Sequence, residues 1–223
     1  MFPQRLTDGY VSFLQGRLER ERARYEALAQ HGQHPEIMVI GCGDSRVAPE
    51  TIFDAGPGEI FVIRNIANLV PPCEPDSETS FHGTSAAIEF AVNALQVKHI
   101  VVLGHAQCGG VAAFANNAAP VSRRDFIGKW MSQISPVVDR LGPPTVDHQS
   151  WIRQIEWAVV EYSLENLMTF PSVSERVQAG QLVLHGAYFG VATGMLFVRD
   201  RETGDFRAHA QLDLPCQPKD PIA

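Results

Sequence analysis

The chain has 223 residues, 45% of them hydrophobic and 19% charged, which is enough for one well-buried core. A formal net charge of −7 excludes a general attraction to nucleic acid or to an anionic membrane. No apolar run approaches the roughly 20 residues that a bilayer-spanning helix needs, and residues 1–22 turn charged too early for a secretory signal, so the expectation is a cytoplasmic protein.

In chain order, residues 6–30 are rich in helix formers, with Leu14, Leu18, Tyr25 and Leu28 on one stripe among many Arg and Glu. They read as an amphipathic helical arm (1–32) with a face for another surface, ended by Gly32 and Pro35. EIMVIG (36–41) predicts a short buried strand, PETIFDAG a short helix, and GEIFVIRNIAN (58–68) a second buried strand. Pro and Ser make 69–80 a loop. Residues 82–97 predict a helix capped by Thr84 or Ser85, and KHIVVLG (98–104) a third strand leading into another helix at CGGVAAFANN. Residues 121–150, with Pro136, Pro143 and Pro144, read as irregular or mixed. A long helix over 151–170 is expected to stop at Pro171. QLVLHGAYFG (181–190) predicts a fourth strand, and 195–214 a hairpin turning near Glu202–Asp205. The last ten residues, with three prolines, are expected to trail over the surface. Strands alternating with helices imply right-handed crossovers. The predicted fold is α/β, one domain over 1–223, with a mainly parallel central sheet flanked by helices and a C-terminal antiparallel hairpin.

Chemistry concentrates at two strand ends, where open parallel sheets gather functional groups. GCGDSR (41–46) puts Cys42, Asp44 and Arg46 after the first strand, and GHAQCGG (104–110) puts His105 and Cys108 after the third. Each fragment alone also fits a plain turn or a packing cysteine. Together, two thiolates and an imidazole suit Zn²⁺, a borderline-soft ion with tetrahedral preference. Asp44 decides the type of site. As a fourth ligand it would close the metal; held by Arg46 in a bidentate pair, it would leave a position for water. Four cysteines are too sparse for a disulfide scaffold. Cys73 and Cys216, in proline-rich segments, have no metal role, and the spacing disfavours a C-x-x-C redox module.

CGDSRV (42–47), PGEIFVIRNIANLVPP (57–72), GTSAAIEFAV (83–92) and GHAQCGG (104–110), in that order and spacing, resemble a β-class carbonic anhydrase. The likeness runs from about Gln33 through Gly110 and again over HGAYFGVATG. It implies reversible hydration of CO₂ to bicarbonate and a proton by attack of zinc-bound hydroxide, with one zinc per subunit. It also implies a homodimer or tetramer whose active site lies at a subunit interface, the N-terminal helices embracing the partner. Cys42, His105 and Cys108 would bind zinc, and Asp44 and Arg46 would form the catalytic dyad, with Asp44 a ligand only in a closed state. Gln33 matches a substrate-holding glutamine, and Phe61 and Ile66 match positions lining the CO₂ pocket. Phe90, also matched to the pocket, stands where plant-type members have tyrosine, which removes one hydroxyl from it. A regulated bacterial subset holds inhibitory bicarbonate with Trp, Arg and Tyr. Here Val39, Arg64 and Phe189 stand at those positions, so the site is expected to be open at neutral pH. His31, His34 and His82 are conceivable proton shuttles, His185 reads as a structural histidine, and Arg64 as a structural donor. Two rivals remain open at this point: hydrolysis of CS₂ or COS at the same site, and a non-catalytic closed zinc protein.

Overall fold

Six strands form, the first three from runs rich in Ile and Val: β1 (Ile37–Cys42), β2 (Ile60–Asn65), β3 (His99–His105), β4 (Val183–Phe189), β5 (Leu196–Arg199) and β6 (Phe206–Ala208). They build one sheet in the order β2-β1-β3-β4-β5-β6 in a computed structural model, in which residues 1–74 and 82–209 are described. The β1–β2, β1–β3 and β3–β4 pairings are parallel; β4–β5 and β5–β6 are antiparallel. This is the predicted α/β architecture, closed by an antiparallel hairpin. β1 is central and buried from Met38 to Cys42, which explains its continuous apolar run. The part of the hairpin reading beyond residue 209, the last ten residues, Cys216, and 75–80 of the expected loop lie outside the described residues.

The helices are α1 (Gln4–Gln15), α2 (Arg17–His31), α3 (Pro49–Ile52), α4 (Gly83–Glu89), α5 (Gly109–Ala115), α6 (Phe126–Met131), α7 (Ser135–Leu141), α8 (His148–Leu167) and α9 (Pro171–Gln178). Met38, Ile40, Ile100 and Val102 on one sheet face pack with Ile88, Val92, Val160 and Leu167. Each such side chain contributes about 1.5–3 kcal/mol by leaving water. α8 starts at Asp147, whose carboxylate accepts the Ser150 N–H at 3.0 Å.

Four local expectations are corrected. The arm is two helices, because the chain leaves helical geometry at Gly16 (φ −126°, ψ −82°), where glycine holds a helix poorly. Pro171 starts a new helix, since a first-turn proline loses no helical hydrogen bond. Neither Thr84 nor Ser85 caps α4: Thr84 Oγ1 accepts from Asn65 Nδ2 at 3.1 Å, and Ser85 pairs with His82 Nδ1 at 3.2 Å. The α4 helix ends at Glu89, and a wider π-type turn carries the chain from Phe90 to Ala94. The mixed stretch 121–150 resolves into α6, capped by Asp125, and α7, with Pro136 in its first turn. No helix among the described residues is long and apolar enough to cross a membrane.

Gly104, just before the end of β3, permits α8 to approach closely: a Cβ there would lie 2.6 Å from Val160 Cγ2. Gly104→Ala is therefore expected to destabilise the fold by about 1–3 kcal/mol through overpacking. Urea denaturation checks this; an unchanged midpoint would contradict it.

Candidate metal centre

Parallel register aligns Gly41 with Leu103, so the next residues of β1 and β3 leave the sheet side by side. Cys42, His105 and Cys108 meet there. They are 5%, 1% and 2% exposed, and one potential ligand atom of each lies within 4.8 Å of the others. His105 Nδ1 lies 2.9 Å from the Ala106 carbonyl, which can only accept, so Nδ1 carries the proton. Nε2 then holds a bare lone pair, and it is buried with no hydrogen-bond partner. Leaving such an atom unmatched costs on the order of 1–3 kcal/mol. A cation at this point would satisfy it, and two sulfurs with one imidazole nitrogen form a donor set that fits zinc.

The two thiols perturb each other. A hydrogen bond from Cys108, foremost, pulls Cys42 down from the usual thiol range, aided by the N–H groups of Asp44 and Ala67 facing its sulfur. Ala67 reaches that position with φ +64°, in the left-handed region, unusual for a residue with a Cβ. Cys108 is pushed up by the same hydrogen bond and by burial. Burial lowers the pKa of His105, but the adjacent Cys42 sulfur outweighs burial and raises it. Without a cation, the group therefore keeps a proton on the Cys108 side at neutral pH.

Asp44 is not part of this converging group. Arg46 Nε donates to its Oδ1 at 2.9 Å and Nη2 to its Oδ2 at 2.7 Å, while the Arg46 backbone N–H donates to Oδ1 at 2.9 Å. These bonds hold Asp44 well below the ordinary carboxylate range. Arg46 Nη2 also donates to the Gln107 carbonyl at 3.1 Å, joining the two motifs. Arg64 Nε and Nη2 donate to the carbonyls of Cys42 (2.8 Å) and Asp44 (2.5 Å), the structural role expected of it.

Of the expected pocket residues, Ile66 lies beside the centre: its Cγ2 would be 2.8 Å from a Cβ on Gly110. The other three stand elsewhere on the same chain. Phe61 pairs with Met38 while Asn65 pairs with Cys42, which puts Phe61 roughly 13 Å down the sheet at about 3.3 Å per residue. Phe90 packs on Phe61 with ring centroids 5.7 Å apart. Gln33 is exposed before the opposite end of β1 from Cys42. Val39 is buried and Phe189 half-buried. His185 lies inside β4, and its Nε2 is 3.1 Å from His99 Nδ1.

Sequence reasoning passed over Glu156. It is 3% exposed on α8, and its Oε1 accepts the Cys108 N–H at 2.8 Å while Oε2 accepts the Tyr188 hydroxyl at 2.6 Å. Its signal was a carboxylate within the apolar stripe of Ile155, Val159 and Val160.

The sequence model of the family described as Carbonic anhydrase matches residues 37–196. The chain is 34% identical over 196 residues to Beta carbonic anhydrase 3 of Arabidopsis thaliana, spanning 86% of this chain and 74% of that one. Its structure resembles that of the β-carbonic anhydrase CcaA with a TM-score of 0.84 and 31% identity, over 93% of this chain and 92% of the other. It also resembles a structure from a study of two tetrameric β-carbonic anhydrases of Sordaria macrospora, with a TM-score of 0.76 and 31% identity over 92% and 98% of the two chains.

Metal binding to this group must displace the proton kept by the raised Cys108 thiol. Zinc titration of the metal-free protein at pH 7 should release at least about one proton per ion, and zinc affinity should fall as pH is lowered. Calorimetry in buffers of different ionisation enthalpy measures both; binding with no proton release would contradict the assignment.

Proposed function

This chain belongs to the β-class carbonic anhydrases, and from that premise we propose that it hydrates CO₂ reversibly to bicarbonate and a proton. Cys42, His105 and Cys108 would hold one zinc ion per subunit. One observation carries the reading: three buried donors converge while Asp44, the candidate fourth ligand, is bound by both oxygens to Arg46. A permanently closed zinc site would require Asp44 to leave that pair. Zinc held there supplies a Lewis acid that makes water acidic enough to act as a nucleophile near neutral pH.

The chain's own groups then have distinct tasks. Asp44, kept ionised by Arg46, can only accept a hydrogen bond. It would take the O–H of the attacking group and leave that oxygen's lone pair facing CO₂. Arg46 holds the carboxylate in this orientation and ties it to the Gln107 carbonyl. Ile66 gives the site an apolar wall suited to a substrate with no net dipole.

Gln33, Phe61 and Phe90 would serve the site of a second copy. Their distance from the metal centre of their own chain supports this, as does the 48% exposure of Phe90. Further support comes from apolar surface without intrachain cover: Phe2, Leu6, Tyr10 and Val11 on or beside α1 are exposed. Two grooves of ≈ 380 and ≈ 340 Å³ on the other sheet face are lined by Ile37, Phe53 and Val101. The proposed assembly is a homodimer or a tetramer built from it.

Stopped-flow CO₂ hydration by the zinc-loaded protein tests the activity. Turnover is expected across pH 7–9, with Asp44→Ala losing about 10–100-fold in kcat at unchanged zinc content. Absence of wild-type activity would refute the function, and an undiminished Asp44→Ala would refute the role of the dyad.

A further inference from the structure

Glu156 is a carboxylate buried inside an apolar helix stripe, and no ion pair among the described residues includes it. Burial of such a group is costly unless its oxygens are matched by donors. One donor belongs to the turn that carries Cys108: the Cys108 N–H, at 2.8 Å from Oε1. The other, the Tyr188 hydroxyl from β4, fixes Oε2 at 2.6 Å.

The turn needs such a hold. Gln107 has φ +58°, a left-handed conformation that a residue with a Cβ adopts only when its surroundings impose it. Cys108 stands just before α5, where the first amides have no intrahelical acceptor, so without Glu156 its buried N–H would be unmatched. Across the same turn, the Gln107 carbonyl accepts from Arg46 Nη2 at 3.1 Å. The 107–108 segment is thus gripped on its N–H side by Glu156 and on its carbonyl side by the arginine that holds Asp44.

We propose that Glu156 is a positioning residue for the metal centre: its carboxylate fixes the His105–Cys108 turn so that Cys108 Sγ converges with Cys42 and His105. The proposal rests on the reading of these three residues as a zinc site. Tyr188 orients the carboxylate. Glu156 would not touch substrate; it would act through Cys108.

Glu156→Met keeps an apolar side chain of similar length on the α8 stripe and removes every acceptor. Glu156→Gln keeps one acceptor for the Cys108 N–H. Co²⁺ is the probe, its affinity read by competition with a chelator and its geometry by the thiolate-to-cobalt charge-transfer band. Glu156→Met is expected to weaken Co²⁺ binding about 10–100-fold and to shift the band, while Glu156→Gln restores part of the affinity, leaving a loss of more than about threefold. The metal-free Glu156→Met protein is expected to lose some thermal stability, because the buried Cys108 N–H and Tyr188 hydroxyl lose their acceptor, so affinity and band are compared at a temperature where both proteins are folded. Wild-type affinity and spectrum in Glu156→Met would overturn the proposal. If that variant does not fold, Glu156→Gln decides, and affinity within about twofold of wild type overturns it. A wild-type protein that shows no thiolate-to-cobalt band refutes the metal site itself, and the role of Glu156 with it.

Discussion

A slip of one residue between β1 and β3 would move Cys42 by about 3.3 Å along the sheet and reverse the face to which its side chain points. The pairing of Gly41 with Leu103 prevents this and sets the strand ends that carry Cys42 and His105 side by side. Everything at the centre inherits its geometry from that register. The register is in turn secured by burial, since Met38 and Ile40 of β1 and Ile100 and Val102 of β3 share one core cluster. A slip would turn Met38 and Ile40 out of that cluster and Val39 into it, disrupting the packing on both faces of the sheet. Cys42 and His105, 63 positions apart, are thereby brought together by the most strongly specified part of the fold.

Around this frame, polar contacts hold the short segments that the sheet does not reach. Arg64 binds two carbonyls of the first motif, Arg46 links Asp44 to the second, and Glu156 takes the amide of Cys108 from below. Ala67 and Gln107, both with positive φ, lie beside the cysteines of the candidate centre. Strained backbone concentrates at such places when the surroundings over-determine it. The Asp44–Arg46 pair matters for orientation more than for stability: with both oxygens taken, Asp44 is committed to Arg46 and stays out of the metal group.

Much of this was legible in the residues. Buried strands announce themselves by apolar runs, and the residue types just past two of them, Cys and then His-x-x-Cys, have few joint explanations besides a metal. Local punctuation was less legible. Gly16 interrupts the arm and Pro171 opens a helix, and both residue types have a second reading that only the flanking structure selects. The turn at Phe90–Ala94 leaves no mark in hydropathy. Glu156 was hidden because its partners are a backbone amide 48 residues away and a tyrosine on another strand. The distance of Gln33, Phe61 and Phe90 from the centre follows from strand register, which one sequence does not reveal.

The central claim is that Asp44 belongs to Arg46 and leaves the metal three protein ligands. A crystal structure of the zinc-loaded protein at pH 7.5 tests it most directly. The account predicts zinc on Cys42, His105 and Cys108, solvent in the fourth position, and Asp44 still bidentate on Arg46. An Asp44 oxygen bound to zinc, with Arg46 released, would contradict it.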